Sequence, residues 1–318
     1  MAMGAILYNF PWNIVITKKA APLDYQILKQ TSCYIVPSRN HKLHTTLNMA
    51  HSTTSTHSEQ TPEKQHQRIT VQNNYGEKLV GVFRESGTME TVVLCHGFRS
   101  TKESSTIASL AAALEKEGIS VFSFDFAGNG ESEGTFEYGN YRREADDLCA
   151  VIKHLNGMKR VVIAIVGHSK GGDVVLVYAS KYHDINRVVN VSGRYNLERG
   201  IEDRLGKDFL QVLEKDGSID VKTRGDSYRV TKESLMERLN TNMHEACLNI
   251  DTTCRVLTVH GSDDEVIPVE DAIEFDKIIP NHKLHIVKGA NHSYTSHQAE
   301  LASVVVPFIK DGLENKDA

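Results

Sequence analysis

The stretch "VVIAIVGHSKGGDVVLVYAS", residues 161–180, holds the reading of the whole chain. A run of branched apolar residues reaches Gly167-His168-Ser169-Lys170-Gly171-Gly172, and a second apolar run begins at once. The first run, about 160–166, is apolar on every position and reads as a strand buried on both faces. The second has the length and spacing of a helix. Residues 167–171 fit G-x-S-x-G, a sharp strand-to-helix turn that holds a serine hydroxyl at its tip. Glycines on both sides let the flanking elements approach without a clashing Cβ. Ser169 is therefore the candidate nucleophile.

Working outward from this point, the same alternation recurs. Residues 78–83, 91–95, 119–125, 187–192, 255–260 and 283–287 read as strands. Residues 103–117 place Ile107, Leu110, Ala111 and Leu114 at helical spacing, with Gly118 at the C-terminal end. Residues 141–155 do the same with Ala145, Leu148, Ile152 and Leu155. Strands alternating with helices, with apolar residues on both strand faces, predict an α/β fold with a mostly parallel sheet covered on both sides. Residues 194–250 interrupt the rhythm. They are charged, and 218–231 read as a hairpin turning at Gly225-Asp226. An insertion of this kind is expected to cap the sheet's C-terminal edge, where ligands of open α/β sheets bind. The Arg-Gly-Asp tripeptide within it reads as turn chemistry.

A serine hydroxyl needs a base, and the base needs an orienting acid. Both types occur downstream at strand ends. "VHGSDDEVIP" (259–268) places Asp263 and Asp264 just past one strand, and "KGANHSY" (288–294) places His292 just past the last. The tetrahedral intermediate also needs two backbone N–H donors, one of them on the residue after the nucleophile, Lys170. The Lys170 side chain is expected in solvent or paired with Asp173, the alternative being recognition of an acidic substrate group. His96, His168, His260 and His285 read as structural, with His96 fixing its own loop.

Taken together, "LCHGFRS" (94–100), "FDFAGNGES" (124–132), "GHSKGG" (167–172), "HGSDDEVIP" (260–268) and "GANHSY" (289–294) resemble the motifs of the α/β-hydrolase superfamily. From about residue 68 to 312 the chain is similar to serine aminopeptidase-like (S33-type) hydrolases, monoacylglycerol lipases and cinnamoyl/feruloyl esterases. The resemblance implies the α/β-hydrolase fold and makes Asp264, rather than Asp263, the acid. It also makes Phe98 the second oxyanion donor, and needs no metal or organic cofactor. It implies a serine hydrolase of carboxylic esters acting through an acyl-enzyme. The polar insertion and its hairpin, like those of cinnamoyl esterases, lean toward small or aromatic acyl groups, with Tyr195, Phe209 and Tyr228 as candidate substrate contacts. Monoacylglycerol lipase, thioesterase and peptidase activity would use the same machinery. A ligand receptor on the same fold, as some plant hormone receptors are, is the alternative from another class.

Composition limits the remaining possibilities. The chain has 318 residues, is 40% apolar and carries a formal charge of −5. It therefore has no basic excess for nucleic acid. Five scattered cysteines, with no C-x-x-C pair, fit neither a disulfide framework nor a zinc site. No apolar run reaches the roughly 18–20 residues that span a bilayer. A small-molecule ester is the expected partner; the oligomeric state is left open. Residues 1–58 hold five Lys/Arg against the single acid Asp24 and end in a Ser/Thr/His-rich run. They read as a transit-like leader toward a plastid or mitochondrion, as a disordered leader, or as an extension ahead of a start at Met49. The expected organisation is a leader over 1–67 and a hydrolase domain over 68–318 with its cap at about 194–250, in the cytoplasm unless the leader is a transit peptide.

Overall fold

The computed structural model describes residues 66–223 and 225–311, so the leader reading, apart from its last two residues, lies outside them. Among the described residues eight strands form one sheet: β1 (His66–Gln72), β2 (Lys78–Arg84), β3 (Glu90–Cys95), β4 (Ser120–Phe124), β5 (Val161–His168), β6 (Arg187–Val191), β9 (Arg255–Gly261) and β10 (His282–Val287). Their spatial order is β1-β2-β4-β3-β5-β6-β9-β10. The β1–β2 and β2–β4 pairs are antiparallel, and every pair from β4 to β10 is parallel. The helices that cross over between strands are α1 (Ser105–Lys116), α2 (Tyr141–Gly157), α3 (Lys170–Tyr182) and α8 (Glu270–Ile278), and α9 (Gln298–Lys310) follows the last strand. This is the mostly parallel, doubly covered sheet of the α/β-hydrolase fold.

Side-chain alternation along each strand supplies both faces of the core. On β3, Val93 and Cys95 join the cluster that includes Leu148 of α2 and Val174 of α3, whereas Val92 and Leu94 join the cluster that includes Leu110 of α1 and Leu301 of α9. Phe122 and Val121 of β4 divide in the same way. β1 was not expected from the sequence. Its residues HQRITVQ are polar and mostly exposed, and only Ile69 and Val71 turn inward.

Between β6 and β9 lie α4 (Ile201–Leu205), α5 (Phe209–Asp216), the hairpin β7 (Ser218–Thr223) and β8 (Asp226–Thr231), α6 (Lys232–Leu239) and α7 (Met243–Leu248). The hairpin forms where the sequence predicts it, and Thr223 pairs with Asp226. The turn thus falls one residue earlier than expected, with Gly225 at φ 92°. α6 starts in a capping box between Thr231 and Ser234. The elements α4 to α6 share a small core of Tyr138, Ile201, Leu213, Tyr228, Val230 and Leu235. Residues 243–250 do not belong with them: Met243, Cys247 and Ile250 are buried in the main core, and α7 packs on α3. Among the described residues no helix is long and apolar enough to cross a membrane.

Candidate active site

β5 ends at His168 and α3 begins at Lys170, which leaves Ser169 alone in the turn at φ 56°, ψ −122°. A non-glycine residue in this region stores backbone strain of about 1–3 kcal/mol. Here the surroundings impose it. A Cβ on Gly167 would lie 1.9 Å from the Gly171 carbonyl oxygen, and one on Gly171 would lie 2.5 Å from the carbonyl oxygens of Cys95 and His96. The first turn of α3 therefore sits directly on the end of β3, and only glycine permits that approach. A Cβ on Gly97 would lie 3.0 Å from the Ser169 Cβ, so the loop after β3 also lies against Ser169.

The acid and the histidine meet at the same sheet edge. His292 Nδ1 and Asp264 Oδ2 are 2.8 Å apart, with the Asp264 side chain fully buried. The other carboxylate oxygen accepts from the backbone N–H groups of Val266 (2.9 Å) and Ile267 (2.8 Å). His260 Nε2 lies 3.3 Å from Oδ2 and also 2.9 Å from the Ile267 carbonyl oxygen. Burial opposes ionisation of Asp264, yet the hydrogen bonds from His260 and His292 outweigh it and hold the carboxyl well below its ordinary range. Asp263 points elsewhere: it is exposed and accepts from the Ser262 hydroxyl at 2.7 Å. Ser169 and His292 line one cavity of about 210 Å³. The Ser169 hydroxyl itself makes no hydrogen bond among the described residues.

Phe98 and Lys170 line the same cavity, and neither backbone N–H has an acceptor among the described residues. Lys170 is the first residue of its helix, where N–H groups have no intrahelical partner. The loop that carries Phe98 is fixed from below by His96, whose Nδ1 donates to the Gly97 carbonyl (2.8 Å) while Nε2 accepts from the Phe126 N–H (3.1 Å). Burial lowers the His96 pKa to about 4, so the ring stays neutral and keeps this donor–acceptor pair. Asp125 ties the same loop to β4, accepting from the Lys102 N–H and Nζ at 2.7 Å each. His168 acts likewise on the opposite side. Its Nε2 lies 2.9 Å from the His292 carbonyl oxygen, and burial, then the nearby His292, lowers its pKa to about 4. His285 is half-buried on β10 and belongs to none of these contacts.

The Lys170 side chain overturns its expectation. It is neither in solvent nor on Asp173: only 6% exposed, it reaches Glu144 of α2 with Nζ–Oε1 at 2.7 Å and lies over the Tyr141 ring. The three aromatic candidates do not line the Ser169 cavity either. Tyr195 lies in a separate depression, its hydroxyl 2.6 Å from His244 Nδ1. Phe209 and Tyr228 pack behind Phe98, with the Tyr228 ring edge-on to it at 5.6 Å. Sequence reading missed what does line the cavity: Tyr138, Tyr141 and the arginines 194, 199, 204 and 238. The regular recurrence of arginine at 194, 199 and 204 was visible in the sequence, but nothing in it said which way the side chains turn. A larger groove of about 640 Å³ beside α1 and α9 contains none of these residues.

Residues 87–215 match the family described as serine aminopeptidase, S33. Protein phosphatase methylesterase 1 of Candida albicans is 27% identical over 112 residues, which span 35% of this chain and 31% of that relative. This chain therefore covers about a third of the length of the curated relative it matches. Among solved structures, Est1E from Butyrivibrio proteoclasticus bound to ferulic acid superposes with a TM-score of 0.65 at 20% identity, covering 77% of this chain and 99% of Est1E. The Pyrococcus furiosus esterase Pf2001 gives 0.59 at 23% identity, covering 78% and 90%. The sheet order, the strained turn at Ser169 and these likenesses agree: the chain has the α/β-hydrolase fold, and its residues 87–215 match the serine aminopeptidase, S33, family.

Proposed function

We propose that the protein is a serine hydrolase of small or aromatic carboxylic esters, with Ser169 as nucleophile, His292 as general base and acid, and Asp264 as the residue that holds the imidazole. The observation that carries this reading is the His292–Asp264 hydrogen bond at 2.8 Å beside a serine in a strained turn, with two open backbone N–H groups lining the same cavity. In this reading Ser169 Oγ attacks the acyl carbon as its proton passes to His292. The oxyanion accepts from the N–H groups of Phe98 and Lys170. Collapse breaks the acyl–oxygen bond, and His292 returns the proton to the leaving alcohol. Water then adds to the acyl-enzyme, giving its proton to His292, and the acid leaves as Ser169 regains a proton.

The cavity of about 210 Å³ falls below the roughly 300–1,000 Å³ of sites for drug-sized ligands, which supports a small acyl or alcohol part. The methylesterase relative and the Pyrococcus furiosus esterase both belong to ester chemistry, and the ferulic acid bound by Est1E is an aromatic acid, which supports the same reading. Labelling with a fluorophosphonate followed by peptide mapping tests it. The expected adduct is on Ser169 and is lost in Ser169→Ala; an adduct elsewhere, or undiminished labelling of the variant, overturns the assignment. Sustained turnover of 4-nitrophenyl esters separates an enzyme from a receptor on this fold, which would stop after one turnover.

A further inference from the structure

Five cations line the cavity at Ser169: Lys170, Arg194, Arg199, Arg204 and Arg238. Two of them are matched by carboxylates, Lys170 by Glu144 at 2.7 Å and Arg199 by Asp271 at 2.9 Å. Arg194, Arg204 and Arg238 form no carboxylate ion pair among the described residues. Arg238 is 7% exposed and spends its donors on neutral oxygens, the Leu197 carbonyl (2.8 Å) and the Tyr141 hydroxyl. Arg194, half-buried, donates to the carbonyls of Arg199 and Val266. Arg204 is exposed, with its guanidinium over the Phe98 ring at 4.9 Å.

Among the described residues, the one acid lining the cavity is Asp173, which accepts from the Arg194 backbone N–H at 2.7 Å. Its burial raises its carboxyl pKa well above the ordinary range. Burial, and next the Arg238 charge, lowers the Arg194 pKa, while the nearby Asp271 and Asp173 oppose that shift. A buried cation such as Arg238 is costly unless an anion completes it. Guanidinium groups are the side chains best shaped to grip a carboxylate or phosphate through paired N–H donors.

We propose that this cavity selects esters that carry a second, anionic group, a carboxylate or phosphate, held by Arg194, Arg204 and Arg238 while Ser169 attacks the ester carbon. The inference rests on the ester-hydrolase reading and adds the substrate class to it. The recognition of an acidic group, which the sequence offered only as an alternative role for Lys170, falls here to three arginines of the inserted segment and its entrance.

The test compares 4-nitrophenyl hydrogen adipate with 4-nitrophenyl hexanoate, which has the same chain length and no charge. The wild-type protein should prefer the adipate ester in kcat/KM by at least about 10-fold, chiefly through KM. In Arg204→Gln, and in Arg194→Gln, that preference should fall about 10-fold, and Arg204→Lys should restore part of it. A merely structural arginine would lower both esters alike and leave the ratio unchanged, which would overturn the proposal. Calorimetric titration of Ser169→Ala with adipate and with inorganic phosphate reads anion binding without turnover and tells the two anions apart. Binding of neither overturns the proposal whatever the hydrolysis result. Arginine-dependent binding with no turnover of any ester would uphold the anion site and sink the hydrolase reading instead.

Discussion

Replacing Asp264 by asparagine should disable the protein while leaving it folded, and the contacts show why. The Oδ1 position receives two backbone N–H groups, from Val266 and Ile267 at 2.9 and 2.8 Å. An asparagine must therefore place its carbonyl oxygen there, because its NH₂ would face two donors. The NH₂ then takes the Oδ2 position, 2.8 Å from His292 Nδ1, and donates to it. That forces the His292 proton onto Nε2, the nitrogen that the proposed mechanism needs empty to accept the Ser169 proton. The wrong tautomer is expected to cost about 10⁴ in kcat, roughly 5.5 kcal/mol of transition-state stabilisation at about 1.36 kcal/mol per tenfold. The assay is kcat/KM on a 4-nitrophenyl ester together with the rate of fluorophosphonate labelling, with thermal unfolding measured on the same samples. Asp263→Asn is the control, since its carboxylate meets only the Ser262 hydroxyl on an exposed loop. Its activity should stay within about threefold, as surface changes usually perturb by under ~0.5 kcal/mol. A folded Asp264→Asn protein within tenfold of wild type, or an Asp263→Asn protein equally impaired, would refute the reasoning.

Two further outcomes are expected. Gly97→Ala puts a methyl 3.0 Å from the Ser169 Cβ and 3.2 Å from the His168 carbonyl oxygen, so the loop or the nucleophile must shift. A displacement of this size should lower kcat on the order of 10²-fold, and unchanged kinetics would show that the loop yields freely. Burial pushes the Glu144 carboxyl up to about 7 from an ordinary 4.5, against the pull of Lys170. A folded-state pKa above the unfolded one contributes stability that is full below about 4.5 and lost as pH rises through about 7. Comparing wild type with Glu144→Gln by urea unfolding across that range should show their difference shrinking by an amount on the order of 3 kcal/mol; parallel curves would rule the effect out.

Much of the fold was legible because local pattern and tertiary role coincide there. β3, β4 and β5 are buried along nearly their whole length, and burial on both faces leaves apolar runs such as Val92–Cys95 and Val161–Val166 in the chain. β1 was not legible, because an edge strand with two inward residues has too little periodicity to distinguish it from a loop. The charged insertion hid a division for a similar reason. Its hairpin follows from turn chemistry, whereas the assignment of α7 to the main core depends on Met243 and Cys247 meeting α3.

The candidate site divides along the same line. By itself the sequence determined that a lone serine stands in a glycine-flanked strand-to-helix turn, with acids and a histidine just past later strands. These are properties of chain order, since parallel strands bring their C-terminal ends to one edge. Which carboxylate faces His292, and what the Lys170 ammonium meets, were decided only in three dimensions. Asp264 is held by two N–H groups of its own loop, and Glu144 reaches Lys170 from a helix 26 residues upstream. The arginines of the cavity belong to the same class. Charged residues of an insertion look alike in one dimension, and only packing decides which turn toward solvent and which surround Ser169.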